Sequence, residues 1–202
     1  SLPPSLTATT GMDALTHAVE AYIGRSTSRE TRRLSKEVVK LIFENLEVAY
    51  KEPQNHKARE NMLIAAYKAG IAFSKSYGGY VHAVAHSLGG RYNIPHGLAN
   101  SALLPIFLDF YGKTIHKKLY ELAKEAGVAT DTDTIEQGAE KFILKVKTLN
   151  ENMQIPKTLQ GIKKEDIPQM ARYADKEGNP LYPVPILLDA KELEQFYYKI
   201  GE

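Results

Sequence analysis

The 202-residue chain contains no cysteine and no tryptophan. Without cysteine it can form neither disulfide bonds nor thiolate metal sites, and its composition fits a reducing compartment. We therefore predict a cytoplasmic location. The sequence also lacks an apolar run of the ~18 residues that a membrane-spanning helix needs, and no signal-peptide pattern is visible in the residues given. We expect no membrane partner.

The chain also has little net charge. Its 26 Lys and Arg residues nearly balance 24 Asp and Glu residues, which leaves a formal charge of +2. Such a balance creates no general attraction for nucleic acid or anionic lipid, so no nucleic-acid partner is predicted. The hydrophobic content of 43% with 25% charged residues is that of a globular protein, not of a disordered chain or a coiled coil.

Sustained alternation of apolar and polar residues, the pattern of β-strands, is missing as well. Apolar residues repeat instead at helical spacing. We predict an all-α, multi-helix bundle that occupies residues 1–202 as one domain. The first helix is predicted at 11–24, with Gly24 at its end. A helix at 57–77 is apolar nearly all round, which predicts a central, buried position.

Several helix starts are predicted from capping boxes. In this motif a Ser, Thr or Asp side chain is followed three residues later by a Glu, and each satisfies a free backbone amide. The predicted boxes pair Thr27 with Glu30, Asp133 with Glu136, and Asp189 with Glu192.

Three of the six histidines lie within one short stretch, YVHAVAHSLGGRYNIPHG at 80–97. On a helix, side chains four residues apart project from the same face. Two pairs of potential metal ligands have this spacing, Asp13 with His17 and His82 with His86. Together with His96, which follows a turn, two such helices can surround a single cation inside a helical bundle.

Each of these residues also has a simpler explanation. A lone histidine pair is commonly a solvated surface feature, and Asp13 near a helix start could satisfy free backbone amides. The helices that carry these residues are otherwise apolar, however, and unpaired polar groups buried there would cost several kcal/mol. We therefore favour a metal site. Imidazoles with one carboxylate suit Fe²⁺ or Zn²⁺, and the sequence does not choose between the two ions.

Two stretches, TATTGMDALTHAVEAY at 7–22 and VHAVAHSLGGRYNIPHGLANSALLP at 81–105, resemble the iron-containing (group III) alcohol dehydrogenases. The shared pattern combines G-x-D-A-L-x-H-A-x-E with H-x-x-A-H-x-x-G-x-x-Y-x-x-P-H-G in the order that the family has. The resemblance continues to NPLYPVPILLDAKELEQFYYKI and so covers essentially the whole chain. It implies the helical, metal-binding C-terminal domain of the dehydroquinate synthase-like fold.

The resemblance also implies roles for individual residues. The ligands of one divalent ion, iron or zinc, would be Asp13, His17, His82 and His96. His86 would not be a ligand but would lie near the nicotinamide and substrate as a proton relay or positioning group, with a purely structural role as the alternative. Glu20 is interpreted as support for the ligands, although a surface charge is an equal possibility on its spacing. His56 and His116 are interpreted as surface residues.

The implied activity is the oxidation of a small alcohol to an aldehyde or ketone, or the reverse, by metal-assisted hydride transfer with NAD(P). This chain opens with SLPPSL and has no G-x-G-x-x-G motif between a strand and a helix. We therefore expect a fragment that lacks the N-terminal nucleotide-binding domain, where NAD(P) is mainly bound, and that is inactive alone. No cofactor-binding residue is assigned within it. The full-length protein is expected to be a homodimer, and the fragment a monomer.

The residues alone leave other classes open. A hemerythrin-like carrier would need two irons with bridging carboxylates, and a metal-dependent phosphohydrolase would usually need adjacent His and Asp, which the sequence lacks. A helical metal-binding module without redox chemistry is a further alternative. So is a domain like that of zinc-dependent glycerol dehydrogenase, although the intact DALTHA motif favours the alcohol dehydrogenase branch. The number of metal ions per chain separates several of these classes.

Overall fold

The computed structural model describes residues 2–201. Within that range it contains nine α-helices, two short 3₁₀ helices and no β-strand, so the predicted all-α class is confirmed. The α-helices are α1 (Pro4–Ile23), α2 (Arg29–Lys51), α3 (His56–Ser76), α4 (Tyr80–Tyr92), α5 (His96–Tyr111), α6 (His116–Glu125), α7 (Ile135–Asn152), α8 (Ile167–Gly178) and α9 (Ala190–Gly201). None of these helices is long and apolar enough to cross a membrane.

Helix α5 lies at the centre of the bundle and packs against α1, α4, α7 and α9. Its Phe107 is fully buried and stacks on Phe196 of α9, with ring centroids 3.8 Å apart. The predicted capping box that opens α9 is confirmed, because the backbone N–H of Glu192 donates to Asp189 and that of Asp189 donates to Glu192. The C-terminal helix is thereby fixed onto the core.

Helix α1 is longer than predicted at its N-terminal end. It begins at Pro4, not at residue 11, and it ends before Gly24 as expected. Proline is well suited to the first turn of a helix, because its fixed φ is already helical and its missing N–H would have no partner there. Pro3 and Pro4 therefore lie at the start of the helix.

The predicted burial of α3 is wrong. Its fully buried positions form one narrow face against α1 and α2, and they are Ala58, Ala65, Ala69, Ala72 and Ser76. On the opposite side, Leu63 and Tyr67 are 72% and 70% exposed. The small side chains let α3 approach its neighbours closely, whereas Leu63 and Tyr67 are left outside.

At two of the three predicted capping boxes, the observed capping side chain lies one residue further along the chain. Helix α2 is capped by the side chain of Ser28 and not by Thr27. Helix α7 begins after Thr134, which forms a capping box with Gln137. The carboxylate of Asp133 binds the backbone of the preceding loop and Lys141 instead.

Candidate metal centre

Four potential metal ligands converge where α1, α4 and α5 meet. They are Asp13 and His17 of α1, His82 of α4 and His96 at the start of α5. One ligand atom from each lies within 4.8 Å of the others, and in the range 2–201 no other such group of three or more side chains is found. His56 is exposed and His116 is partly buried, and both lie outside this cluster.

The carboxylate of Asp13 is at the middle of the cluster. Its Oδ1 lies 3.6 Å from Nε2 of His82 and 3.3 Å from Nε2 of His96, and its Oδ2 lies 3.9 Å from Nδ1 of His17. Ligand atoms bound about 2.1 Å from one small cation are roughly 3 to 4 Å from each other. The observed spacing therefore fits a single divalent ion with little movement of the side chains.

His82 carries the clearest sign that a ligand is needed. Its side chain is only 1% exposed, and Nδ1 contacts Oε2 of Glu20 at 2.5 Å. Its other nitrogen, Nε2, is buried and has no hydrogen-bond partner. A buried polar atom without a partner costs about 1–3 kcal/mol. A cation at this nitrogen would remove that cost, so the residues present fit a metal ion.

Glu20 fixes the orientation of His82. Its carboxylate accepts hydrogen bonds from the backbone N–H groups of Gly79 and Val81, at 3.0 and 2.9 Å, and so caps the N-terminus of α4. Gly79 is required for this approach, because a Cβ at that position would collide with the Glu20 carboxylate. The burial of Glu20 excludes the surface-charge alternative.

The start of α5 positions His96. At the next residue, Gly97, a Cβ would stand 2.6 Å from the carbonyl oxygen of Thr9, so glycine allows α5 to approach α1. Asn100, one turn further along, donates from Nδ2 to Asp13 Oδ1 at 2.7 Å and lies 3.0 Å from Nε2 of His96. The sequence analysis did not identify Asn100. The sequence shows only that an asparagine lies four residues after His96 on an apolar helix.

The electrostatics of the cluster leave two of its four proposed ligands unprotonated near neutral pH. Burial acts to raise the pKa of Asp13, but contacts with His82 and His96 outweigh it and hold this pKa well below its usual range. Burial, together with the neighbouring His82, lowers the pKa of His17 to about 4. Burial also opposes charge on His82, but contacts with Asp13 and Glu20 raise its pKa to about 9. Asp13 and His17 are therefore in the unprotonated state that metal ligands need, whereas His82 has to release a proton to bind an ion through Nε2.

The cluster is open to solvent on one side. The side chain of His96 is 42% exposed and those of Asp13 and His17 about 20% and 22%, whereas His82 is almost fully buried. The expected location inside the bundle is therefore only partly right, because the cluster lies at its surface. A site with this shape leaves room for a substrate beside the four side chains.

His86 lies at the rim of the same cluster. Its ring stacks on that of His96 with centroids 5.1 Å apart, and it is 6.0 Å from the ring of His82. Nδ1 of His86 lies 2.7 Å from Oε1 of Glu177 on α8, a residue that the sequence analysis did not identify. A cleft of about 510 Å³ extends from these two residues between α4 and α8.

Comparison with known proteins agrees with this architecture. Residues 7–200 match the model of the Fe-containing alcohol dehydrogenase family, C-terminal. The chain belongs to this family, and the resemblance inferred from the two histidine motifs is confirmed.

Individual relatives show the same relationship. The chain is 43% identical over 179 residues to 1,3-propanediol dehydrogenase of Citrobacter freundii, covering 88% of this chain and 46% of the relative. It is 40% identical over 177 residues to alcohol dehydrogenase 4 of Saccharomyces cerevisiae, covering 86% and 45%. A crystal structure of 1,3-propanediol oxidoreductase superposes with a TM-score of 0.92 at 37% identity, covering 99% and 53%. The chain thus spans about half the length of these relatives.

Proposed function

We propose that this chain is the metal-binding catalytic half of an NAD(P)-dependent alcohol dehydrogenase, which interconverts a small alcohol and an aldehyde or ketone. The observation that carries the proposal is the convergence of four ligand side chains, one of which, His82, has a buried Nε2 without a hydrogen-bond partner. The names of the relatives, which are dehydrogenases of alcohols and of 1,3-propanediol, support the substrate class.

The proposed ligands are Asp13, His17, His82 and His96, which would hold Fe²⁺ or Zn²⁺. When bound, such an ion supplies a Lewis acid that stabilises negative charge on a substrate oxygen. The exposed side of the cluster admits the substrate. His86 stands at this side, within reach of a group held at the cluster, and we assign it the exchange of a proton with the substrate hydroxyl.

We further propose that residues 1–202 form the helical metal-binding domain and that a separate N-terminal domain binds NAD(P). Two observations support this division. The relatives are about twice as long as the matched region, and residues 2–201 contain no strand from which a dinucleotide-binding sheet could be built. The full-length protein is proposed to be a homodimer and the isolated chain a monomer.

Metal analysis tests the centre directly. Protein purified without chelator is expected to contain one iron or zinc ion per chain, and Asp13→Ala and His82→Ala are expected to lose most of it. His56→Ala removes an exposed histidine outside the cluster and should keep the full metal content. Unchanged metal in both ligand variants would exclude these residues from the site. Two ions per chain would contradict a centre built for a single ion.

The division into domains has its own test. The isolated chain is expected to bind metal yet to form no NAD(P)H from a small alcohol, because it contributes only part of the site. Measurable NAD(P)H formation by the isolated, metal-loaded chain would contradict the proposed role of the second domain while leaving the metal centre intact.

A further inference from the structure

His86 has a carboxylate partner outside the metal cluster. Its Nδ1 lies 2.7 Å from Oε1 of Glu177, and the same oxygen accepts a hydrogen bond of 2.8 Å from the hydroxyl of Tyr182. His86 belongs to α4 and Glu177 to α8, whereas Tyr182 lies in the segment between α8 and α9. Three separate parts of the chain therefore meet at one carboxylate oxygen.

Tyr182 restricts the position of this carboxylate. Its ring lies against two glycines, with atoms 3.5 Å and 3.7 Å from the points where a Cβ would stand on Gly78 and Gly178. The side chain of Glu177 is 32% exposed. A surface ion pair between two free side chains contributes little, because both must be ordered to form it. Here the hydroxyl of Tyr182 already orders the Glu177 carboxylate, so this carboxylate can fix the position of the His86 imidazole.

The chemistry of the three groups determines where the ring proton resides. An ionised carboxylate only accepts hydrogen bonds. Beside Glu177, the Nδ1 atom of His86 must therefore carry a proton, and in the neutral ring Nε2 on the far side is then an acceptor. The ring also stacks on that of His96, with 18° between the two planes. Glu177 thus sets the tautomer of His86, and the stacked ring of His96 restricts its orientation.

We propose that Glu177, anchored by Tyr182, is a positioning residue for His86. It holds the imidazole as the Nδ1–H tautomer and so presents Nε2 as the acceptor for the hydroxyl of an alcohol at the metal cluster. This inference rests on the proposed function, which places His86 beside the substrate. A purely structural ion pair would instead require a charged imidazole, protonated on both nitrogens and unable to accept.

Nitrogen NMR of the ¹⁵N-labelled, zinc-loaded chain tests the inference, because the two ring nitrogens give different signals when protonated and when bare. The signals of His86 are assigned by their loss in His86→Gln. We expect a protonated Nδ1 and a bare Nε2 in the wild type and in Glu177→Gln, whose amide oxygen still accepts. In Glu177→Ala we expect the proton to shift towards Nε2. Glu165→Gln, which removes another carboxylate near α8, should leave the spectrum unchanged.

Two results would overturn the inference. One is a wild-type ring protonated at Nε2 or at both nitrogens, which can be read without any variant. The other is an unchanged His86 spectrum in Glu177→Ala. The zinc content of the same samples separates this inference from the proposed function. A wild-type chain without zinc contradicts the proposed function, whereas one zinc per chain with a tautomer independent of Glu177 contradicts the positioning role alone.

Discussion

Among single residues, Glu20 supports the metal centre without belonging to the proposed ligand set. Its two carboxylate oxygens serve the backbone amides of Gly79 and Val81 and also Nδ1 of His82. A carboxylate offers about four acceptor positions, so one side chain can satisfy three donors. His82 is left with only Nε2 for a further ligand. The residue that caps α4 therefore also decides which nitrogen of His82 faces Asp13.

Glu20→Gln should weaken zinc binding by about 10- to 100-fold, the usual effect of removing the group that orients a ligand imidazole. An amide has one acceptor oxygen, and its NH₂ group would face the donors that the carboxylate now satisfies. Competition with a chromophoric chelator measures the affinity. Glu37→Gln is the matched control, because Glu37 binds Arg33 and Lys68 at the surface of α2. Equal zinc affinity in Glu20→Gln and the wild type would show that the orienting contact is unimportant.

Helical spacing and the two motifs were sufficient to select the side chains that meet in the cluster. They did not select Asn100 or Glu177. Asn100 reaches Asp13 only because Gly97 lets α5 approach α1, and Glu177 is 91 residues from His86 in the sequence. Spacing along one helix determines which residues share a face. It contains no information about which faces of different helices come together.

Among the helices, α5 depends on α7 for one of its backbone hydrogen bonds. Pro105 lies inside α5 and has no N–H, so the carbonyl of Ser101 loses its normal helical partner. The side chain of Asn150 on α7 donates to this carbonyl at 2.7 Å. The proline is thus accommodated by a neighbouring helix, which ties α7 to the central helix of the bundle.

Asn150→Ala should destabilise the chain by about 1–3 kcal/mol, the cost of leaving a buried carbonyl without a partner. In a Pro105→Ala background the cost should be smaller, because the restored N–H can bond to Ser101. Both backgrounds contain the same cavity at position 150, so the double-mutant cycle isolates the hydrogen bond. Urea denaturation gives the four free energies of unfolding. Strictly additive losses would mean that Asn150 does not compensate for the proline.

The errors in the predicted helix caps and in the predicted burial of α3 have physical causes. Thr27 and Ser28 are both good capping residues, and only the path of the chain decides which of them precedes the first helical turn. The pattern of α3 shows which of its residues are apolar but not which are covered. The alanine face of α3 packs against α1 and α2 because it permits the closest approach, and Leu63 and Tyr67 remain in water.

For the whole molecule, the predicted fold class and family are confirmed. Both depend on the helical spacing of apolar residues along the chain and on two extended motifs, and not on where any one helix begins or ends. The partial exposure of the cluster could not be foreseen. It depends on how α1, α4 and α5 pack together at one surface of the bundle, and the sequence pattern of each helix is the same for a central and for a peripheral site.

Metal should stabilise the whole chain, because its proposed ligands come from three helices. Zinc at 100 times its dissociation constant is expected to add about 2.7 kcal/mol to the free energy of unfolding, and a chelator should remove this increment. Thermal melting followed by circular dichroism measures both. His82→Ala should abolish the metal-dependent increase, whereas exposed His56→Ala should retain it. The same increase in both variants would indicate binding elsewhere.

Because Glu20 caps α4, hydrogen exchange at the start of this helix reports on the state of the metal centre. The amide hydrogens of Gly79 and Val81 exchange with deuterium when their hydrogen bonds to the Glu20 carboxylate break. Movement of this carboxylate also breaks its contact with the imidazole of His82. Unravelling of this turn and loss of the centre are therefore one event. Slow exchange at these two positions would mark a molecule whose site is assembled before any ion arrives.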